Sequence, residues 1–479
     1  MKRNERGKTR GGRLWYCASG LIASLLTSAC GGPSKDLPNV MIVVMDTARQ
    51  DHLGLYGYEK PTSPNLELLA SESTDYANAY TPGGWTIPAH ASLFTGLYSV
   101  AHQTTQEDWR MPDNLTTLAE VFKATRYKTI AIIENPMLNT QNNFQQGFEQ
   151  YKEAWRLEGQ EGLKALSVFK KSLSAPRGRK PLFLFVNLVG PHSPYDSSGQ
   201  FRDRFVSDLS INIEDNMWRE YFLGDKDFSE GEIRHLVELY DSELLMADHV
   251  VGEMVKELKD GGLWENTVFI VTSDHGENIG DHGLMDHVFS LHESIIRVPL
   301  LIHYPKLFPP GVRHEYPVEL TDIFPTLLEI AGIDFGRYPS QGISLLGPER
   351  PAGSLVISEY YYPRQALEGM KRRGLIETED REKALAKYKR RIRAVIDGDM
   401  KLIWGGDGRH ELYDLGRDPD EKVNLVGDPA YADTVERLIR LLEGMVEKYR
   451  AAGPKQGSAK AGQVDDVTRE KLKSLGYTQ

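Results

Sequence analysis

The sequence predicts an α/β protein, a doubly wound and mainly parallel sheet with a smaller C-terminal antiparallel-sheet subdomain. Three observations predict it. Nearly continuous apolar runs at 39–45, 128–133, 181–189, 267–272 and 298–303 have the length and the missing polar alternation of strands buried on both faces. Between them lie segments with helical periodicity, at 64–71, 114–125, 162–173, 230–259 and 321–331. Strands alternating with helices imply a parallel sheet covered on both sides. After about Gly347 the texture changes to short alternating segments at 355–359, 392–396, 401–404 and 411–414, which read as antiparallel strands.

Taken in order, residues 1–29 read as an export leader. Six basic residues precede a short apolar run from Leu14 to Leu26, too short to span a bilayer comfortably. Ser28 and Ala29 stand directly before Cys30 and resemble a bacterial lipoprotein cleavage box, with Thr27 where that box prefers leucine. Cys30 is then the lipidated residue, and a membrane anchor in the cell envelope, facing periplasm or exterior, is expected. Cys17 is the only other cysteine and lies in the leader, so the mature chain has no internal disulfide.

The chain of 479 residues exceeds the size at which one core usually stops growing. A large domain over 38–347 and a smaller one over 348–452 are expected. Asp397-Gly398 marks a hairpin turn in the smaller one, and a helix is expected over 431–449. The charged stretch 364–391 reads as an inserted solvated helix, because acidic residues are interleaved with Lys371, Arg372, Arg373 and Lys389. A Gly/Ser/Ala/Lys linker over 453–466 precedes a short terminal helix over 467–475. The formal charge is -11, and without the basic leader it is -16, which argues against nucleic acid as a partner. An anionic small substrate is compatible with that charge, because a bound cation reverses the local sign.

Ligands in open α/β sheets bind beyond the carboxyl ends of strands. The first strand ends at Asp46, and the strand over 267–272 runs into Asp274-His275. Two carboxylates and an imidazole at one sheet edge make a mixed oxygen/nitrogen set for a divalent cation. Gly83-Gly84 is a turn leading into a helix with Pro88 in its first turn, which places Thr86 just before the helix N-terminus. A hydroxyl there is either an N-cap or, beside a cation, an activated nucleophile. Arg49 with Asp51, Asp241, Asp248 and His102 read as structural groups, and His282 and His292 as pocket lining.

The ordered motifs resemble the sulfatase family of the alkaline phosphatase superfamily. They are Pro38-Asn39 through Asp46, then Thr86-x-Pro88-x-His90 with Leu93 and Thr95-Gly96, then Pro191-His192-x-Pro194, then Ser273-Asp274-His275-Gly276 and Arg297-Val298-Pro299. Lys401-Leu402-Ile403 and Leu412-Tyr413-Asp414-Leu415 are similar to that family's small domain. The resemblance implies that Asp46, Thr86, Asp274 and His275 hold one divalent metal ion, Ca2+ as in sulfatases or Mn2+/Zn2+ as in threonine-nucleophile relatives. It implies that Thr86 is the nucleophile, that His192 and His287 are catalytic, and that His90, Asn135 and His282 bind substrate. His287 falls where sulfatases carry a lysine.

Four features depart from the sulfatase pattern. Thr47 stands where a second aspartate follows the first, and Thr86 and His90 replace the cysteine or serine and the arginine of the modified-residue frame. Glu134-Asn135-Pro136 occupies the place of a Lys-x-His pair. Threonine cannot give the formylglycine aldehyde. The set is similar instead to threonine-nucleophile nucleotide pyrophosphatase/phosphodiesterases and to lipoteichoic acid synthase and phosphoethanolamine transferase relatives. The expected function is metal-dependent hydrolysis of sulfuric or phosphoric mono- or diesters of a small molecule, glycan or lipid. A transferase acting on envelope glycans or lipids, and a non-catalytic lipid-anchored binding protein, are the alternatives.

Overall fold

Strand β1 (Asn39–Met45) is buried along its whole length because it occupies the middle of a sheet covered on both faces. Its alternate side chains part into two cores, Val40, Ile42 and Val44 on one side and Met41, Val43 and Met45 on the other. The computed structural model describes residues 37–475 apart from 177, 179, 198, 212, 214–216, 348–353 and 454–464. The leader, Cys30 and most of the 453–466 linker thus lie outside the described residues. Among those described, no helix is long and apolar enough to cross a membrane.

The other strands of this eight-stranded sheet are β2 (Thr74–Tyr76), β3 (Lys128–Ile133), β4 (Gln150–Glu153), β5 (Leu182–Leu188), β6 (Thr267–Thr272), β7 (Leu300–His303) and β8 (Val312–His314). The order across the sheet is β8-β2-β7-β6-β1-β5-β3-β4. β1 pairs in parallel with β6 and β5, and β3 in parallel with β5 and β4. The apolar run over 298–303, expected as one more strand of this parallel kind, runs antiparallel to β6, pairing Leu300 with Thr272 and Leu301 with Val271. The one α-helix in the link between them is the short Glu293–Ile296, not a crossover helix, so the chain turns back beside β6.

Helices α1 (Pro64–Ser71), α2 (Thr86–Thr95), α3 (Leu118–Ala124), α4 (Leu163–Ser174), α5 (Glu230–Asp260) and α6 (Ile323–Ile330) cover the sheet. Phe94, Leu118 and Ile323 join the Val40 side, while Leu66, Phe169 and Leu244 join the Met41 side. Capping boxes start α3 at Thr117/Glu120 and α5 at Ser229/Glu232. Asp248 in α5 accepts from the backbone N–H of Asn65 and Leu66 and so caps α1, which is a structural role. Asp241 is likewise committed, to His52, Tyr58 and Lys60.

The smaller sheet consists of β9 (Val356–Tyr360), β10 (Ile392–Asp397), β11 (Met400–Gly405) and β12 (Glu411–Asp414), antiparallel throughout. The β10–β11 turn passes through Gly398 at φ +61°. One face of this sheet joins the main core through Ile392, Ala394 and Ile403. The other, with Val395 and Leu402, is covered by Leu438 and Leu442 of the helix Ala432–Ala452. The charged stretch 364–391 holds two helices, Arg364–Arg372 and Glu379–Ala386, where one was expected. Gly374 at φ +69° ends the first.

Candidate active site

The sheet order β6-β1-β5-β3 brings four parallel strands side by side, so the residues that follow them emerge at one edge. Asp46 follows β1, Asp274 and His275 follow β6, His192 follows β5, and Asn135 follows β3.

The Asp46 carboxylate is used asymmetrically. Oδ2 accepts hydrogen bonds from Asn135 Nδ2 at 2.8 Å and Asn187 Nδ2 at 2.9 Å. Oδ1 is buried and accepts none. Asp274 repeats the pattern: Oδ1 accepts from the backbone N–H of Thr47 at 3.1 Å and His275 at 3.0 Å, and Oδ2 is buried and accepts none. His275 Nδ1 lies 2.9 Å from the Gly276 carbonyl, which assigns the proton to Nδ1 and the lone pair to Nε2. That Nε2 lies 3.3 Å from Thr86 Oγ1 and 3.4 Å from Asp274 Oδ2. Burial, helped by nearby His287, pulls His275 down to about 3, so it is neutral at physiological pH.

Asp46, Asp274 and His275 each place a donor atom within 4.8 Å of the other two. A buried carboxylate oxygen without a partner is costly, and here two of them accompany an imidazole lone pair. This chemistry fits a divalent cation. Asp46, Thr86 and His275 are fully buried, so the group is shielded from solvent.

Local backbone geometry holds the group. Thr47 adopts φ +59°, a left-handed conformation that costs a β-branched residue about 1–3 kcal/mol. It turns the Thr47 N–H to Asp274, while the Thr47 carbonyl accepts from Tyr240 Oη at 2.7 Å. Position 276 must be glycine, because a Cβ there would lie 1.9 Å from the Ser294 carbonyl oxygen. Thr86 is the first residue of α2, and Trp85 before it makes no side-chain cap. The Thr86 hydroxyl is therefore not an N-cap, and it stands where the helix dipole favours negative charge.

His287 and His192 approach from two loops. The His287 ring lies 4.8 Å, centroid to centroid, from both His192 and His275. His287 Nδ1 is 2.7 Å from Asp286 Oδ1 and 3.3 Å from Glu277 Oε1. Burial lowers the His287 pKa, but the two carboxylates outweigh it and hold it well above its ordinary value. Burial and His287 together hold His192 below its ordinary value. Burial pushes the Glu277 carboxyl up to about 7 against the pull of His287.

Of the three expected substrate-binding residues, Asn135 lies against Asp46, His90 Nδ1 lies 3.5 Å from Asp274 Oδ2, and His282 lies apart from both. Asn135 gives its amide to Asp46 and accepts from Met137 N–H, so it supports a carboxylate. His90, one turn after Thr86 on a wholly buried helix, donates from Nδ1 to the Thr86 carbonyl at 2.8 Å. Its ring is edge-on to Phe94 and Phe185 in the core. His282 stacks on His292 at 3.6 Å instead of joining His287. Both line a cleft of about 980 Å³ between the 281–294 segment and the smaller sheet, with Arg390, Glu411 and Glu421. Asn187, Glu277 and Asp286 were not singled out from sequence. Asn187 had a signal, an amide inside the apolar run of β5.

Comparison with known proteins shows a sulfatase-like ester hydrolase. A family model described as Sulfatase matches residues 38–333, and the chain belongs to the sulfatase family. It is similar to the uncharacterized sulfatase YidJ of Escherichia coli (strain K12), 24% identical over 466 residues, covering 86% of this chain and 88% of that protein. It is also similar to an arylsulfatase of Clostridium perfringens, 25% identical over 485 residues, with 86% and 96% covered. A phosphonate monoester hydrolase of Agrobacterium radiobacter shares the fold, with TM-score 0.69, 19% identity, and 86% of this chain and 96% of that one covered.

Proposed function

We propose that this chain hydrolyses sulfuric or phosphoric esters with Thr86 as a covalent nucleophile that needs no prior oxidation. The observation that carries the reading is the 3.3 Å approach of Thr86 Oγ1 to His275 Nε2, beside two carboxylate oxygens that accept no hydrogen bond. Asp46, Thr86, Asp274 and His275 would hold one divalent cation, which when bound lowers the Thr86 hydroxyl pKa and offsets charge on a nonbridging ester oxygen.

Thr86 gives its hydroxyl proton to a water molecule and Oγ1 bonds to sulfur or phosphorus as the bond to the leaving oxygen breaks. His287, kept protonated by Asp286 and Glu277, is placed to protonate the leaving oxygen. His192, kept neutral by burial, is placed to hydrogen-bond an equatorial oxygen. Water then attacks the same centre, the bond to Oγ1 breaks, and the hydroxyl is restored. Arylsulfatase and phosphonate monoester hydrolase, the activities named for two similar proteins, are both displacements at a tetrahedral centre of this kind. The leader and Cys30 support an exported protein anchored to the cell-envelope membrane by lipid.

The test compares the wild type with Thr86→Ala and Thr86→Ser on aryl sulfate and aryl phosphonate esters. Thr86→Ala should lose at least about a thousandfold in kcat, whereas Thr86→Ser, which keeps the hydroxyl, should retain measurable turnover. Full activity in Thr86→Ala refutes the assignment.

A further inference from the structure

Every backbone N–H of the turn after β1 has a partner, and one of them is held from a helix. Asp46 N–H donates to the Leu188 carbonyl at 2.8 Å, Thr47 N–H to Asp274 Oδ1 at 3.1 Å and Ala48 N–H to Ser273 Oγ at 2.9 Å. Leu188 ends β5, and Ser273 and Asp274 follow β6. Arg49 N–H instead donates to Tyr240 Oη of α5 at 2.8 Å, and the same hydroxyl donates to the Thr47 carbonyl at 2.7 Å. We infer that Tyr240 is a positioning residue of the active site: its hydroxyl locks the turn after β1 and, through the Thr47 N–H, fixes the direction of the Asp274 carboxylate. The inference rests on the reading of Asp46, Thr86, Asp274 and His275 as the reacting centre, and adds a group outside that centre on which its geometry depends.

The turn needs a lock. Thr47 at φ +59° is a β-branched residue in the left-handed region, a conformation that persists only where the surroundings over-determine it. Released, Thr47 would relax toward ordinary backbone angles and swing its N–H off Asp274. Tyr240, Thr47 and Arg49 are all buried. Among the described residues, no other group bonds the Thr47 carbonyl or the Arg49 N–H. Loss of the hydroxyl therefore leaves two backbone groups unpaired and away from water. Burial raises the Tyr240 pKa well above its ordinary value, so the phenol keeps its proton and both donates and accepts.

Phenylalanine removes the oxygen and keeps the packing. The Tyr240 ring stands edge-on to Tyr195 at 5.6 Å and to His52 at 5.4 Å, contacts that a phenylalanine ring also makes. Tyr240→Phe thus isolates the hydroxyl. Thr47→Gly tests the route, because glycine takes a positive φ without strain and has less need of the lock.

The experiment uses the full chain as Tyr240→Phe, as Thr47→Gly and with both changes together. It measures Zn2+ affinity by competition with a chromogenic chelator, and steady-state kinetics on an aryl phosphonate ester. Tyr240→Phe should lose about 10- to 100-fold in Zn2+ affinity, and its kcat should fall with at most roughly a threefold change in KM. In the Thr47→Gly chain, removal of the hydroxyl should cost at least roughly threefold less than it does beside threonine. A phenol that only filled space or stabilised the fold would cost the same in both chains. Wild-type Zn2+ affinity and kcat in Tyr240→Phe overturn the inference, and so do equal losses with threonine and with glycine at position 47. Asp46→Asn is measured alongside. If it binds Zn2+ as the wild type does, the reading of the site fails. If it loses Zn2+ while Tyr240→Phe does not, only the inference about Tyr240 fails.

Discussion

Lys401 Nζ lies 2.8 Å from Glu421 Oε1 and 2.9 Å from Glu293 Oε1, and the lysine side chain is wholly shielded from solvent. Lys401 belongs to β11, and Glu293 opens the short helix after the His287 loop. Glu421 Oε2 also accepts the Glu293 backbone N–H at 2.6 Å. One buried ion triad therefore ties the smaller sheet to the segment that carries His287.

The triad sets an acid limit. Burial would raise the Glu421 pKa, but Lys401 and His292 outweigh it and hold it down at about 2. A carboxylate depressed in the folded state contributes stability that is complete above its unfolded pKa, roughly 4.3, and is lost as pH falls toward the folded value. Glu421→Gln should cost roughly 3–5 kcal/mol at neutral pH, because Lys401 loses a partner in the interior. It should also flatten the dependence of stability on pH between about 4.5 and 2. Denaturant unfolding of wild type and variant across that window measures both. Parallel pH curves would show that Glu421 does not titrate in the folded state as described.

Gly276→Ala should disturb the candidate metal site through the backbone alone. Its Cβ would meet the Ser294 carbonyl at 1.9 Å, and backbone cannot give way as a flexible side chain does. The Gly276 carbonyl also accepts from His275 Nδ1, so any shift rotates the ring. A stability loss of about 1–3 kcal/mol or more is expected, together with weaker metal retention. Gly427→Ala, where a Cβ meets nothing within 4 Å, is the matched control and should leave both measurements unchanged.

The convergence of Asp46 with Asp274 and His275 is legible in the sequence because each follows an apolar run, and parallel neighbouring strands share one C-terminal edge. Thr86 is legible through Pro88, which marks the helix start. The supporting groups are harder to read, since they depend on which strands are adjacent. Asn187 meets Asp46 only because β5 lies next to β1. Glu134 sits beside Asn135 but turns away, accepting from the Gly162 and Ala165 N–H groups at the start of α4. His282 is five residues from His287, yet its left-handed backbone at φ +54° takes it to the other side of the loop, against His292. Spacing along the chain carries no sign of that reversal.

Cys30 should be the acylated first residue of the mature protein. The basic segment, the short apolar run and Ser28-Ala29 before Cys30 motivate this. Each buried methylene of an acyl chain adds about 0.8 kcal/mol of membrane affinity, so more than one chain gives firm anchoring. Intact mass of the native N-terminus checks it. A mature chain beginning elsewhere, or an unmodified Cys30, refutes it.

Phosphonate or phosphodiester turnover should exceed sulfate ester turnover, for a reason that lies in Thr86. A formylglycine hydrate expels sulfate by collapse of its own hemiacetal, with no attack of water on sulfur. Threonine has no such exit, so the ester on Oγ1 must be cleaved at the transferred centre. A cation held by the Asp46, Asp274 and His275 donors would supply positive charge at that centre, together with His287, held charged by Asp286 and Glu277. Positive charge gathered there helps most where the transferred group carries the most negative charge on its oxygens. The threonine ester left by a phosphonate monoester or phosphodiester is a monoanion like the sulfate ester, but its charge rests on two nonbridging oxygens instead of three, so each carries more. With metal-loaded protein, kcat/KM for an aryl phosphonate or aryl phosphodiester should therefore exceed that for the matching aryl sulfate. Quenching the reaction early should trap a phosphorylated or phosphonylated Thr86 peptide. Faster sulfate turnover, with no phosphorus-bearing Thr86 peptide, would reverse the substrate order and leave membership of the sulfatase family untouched.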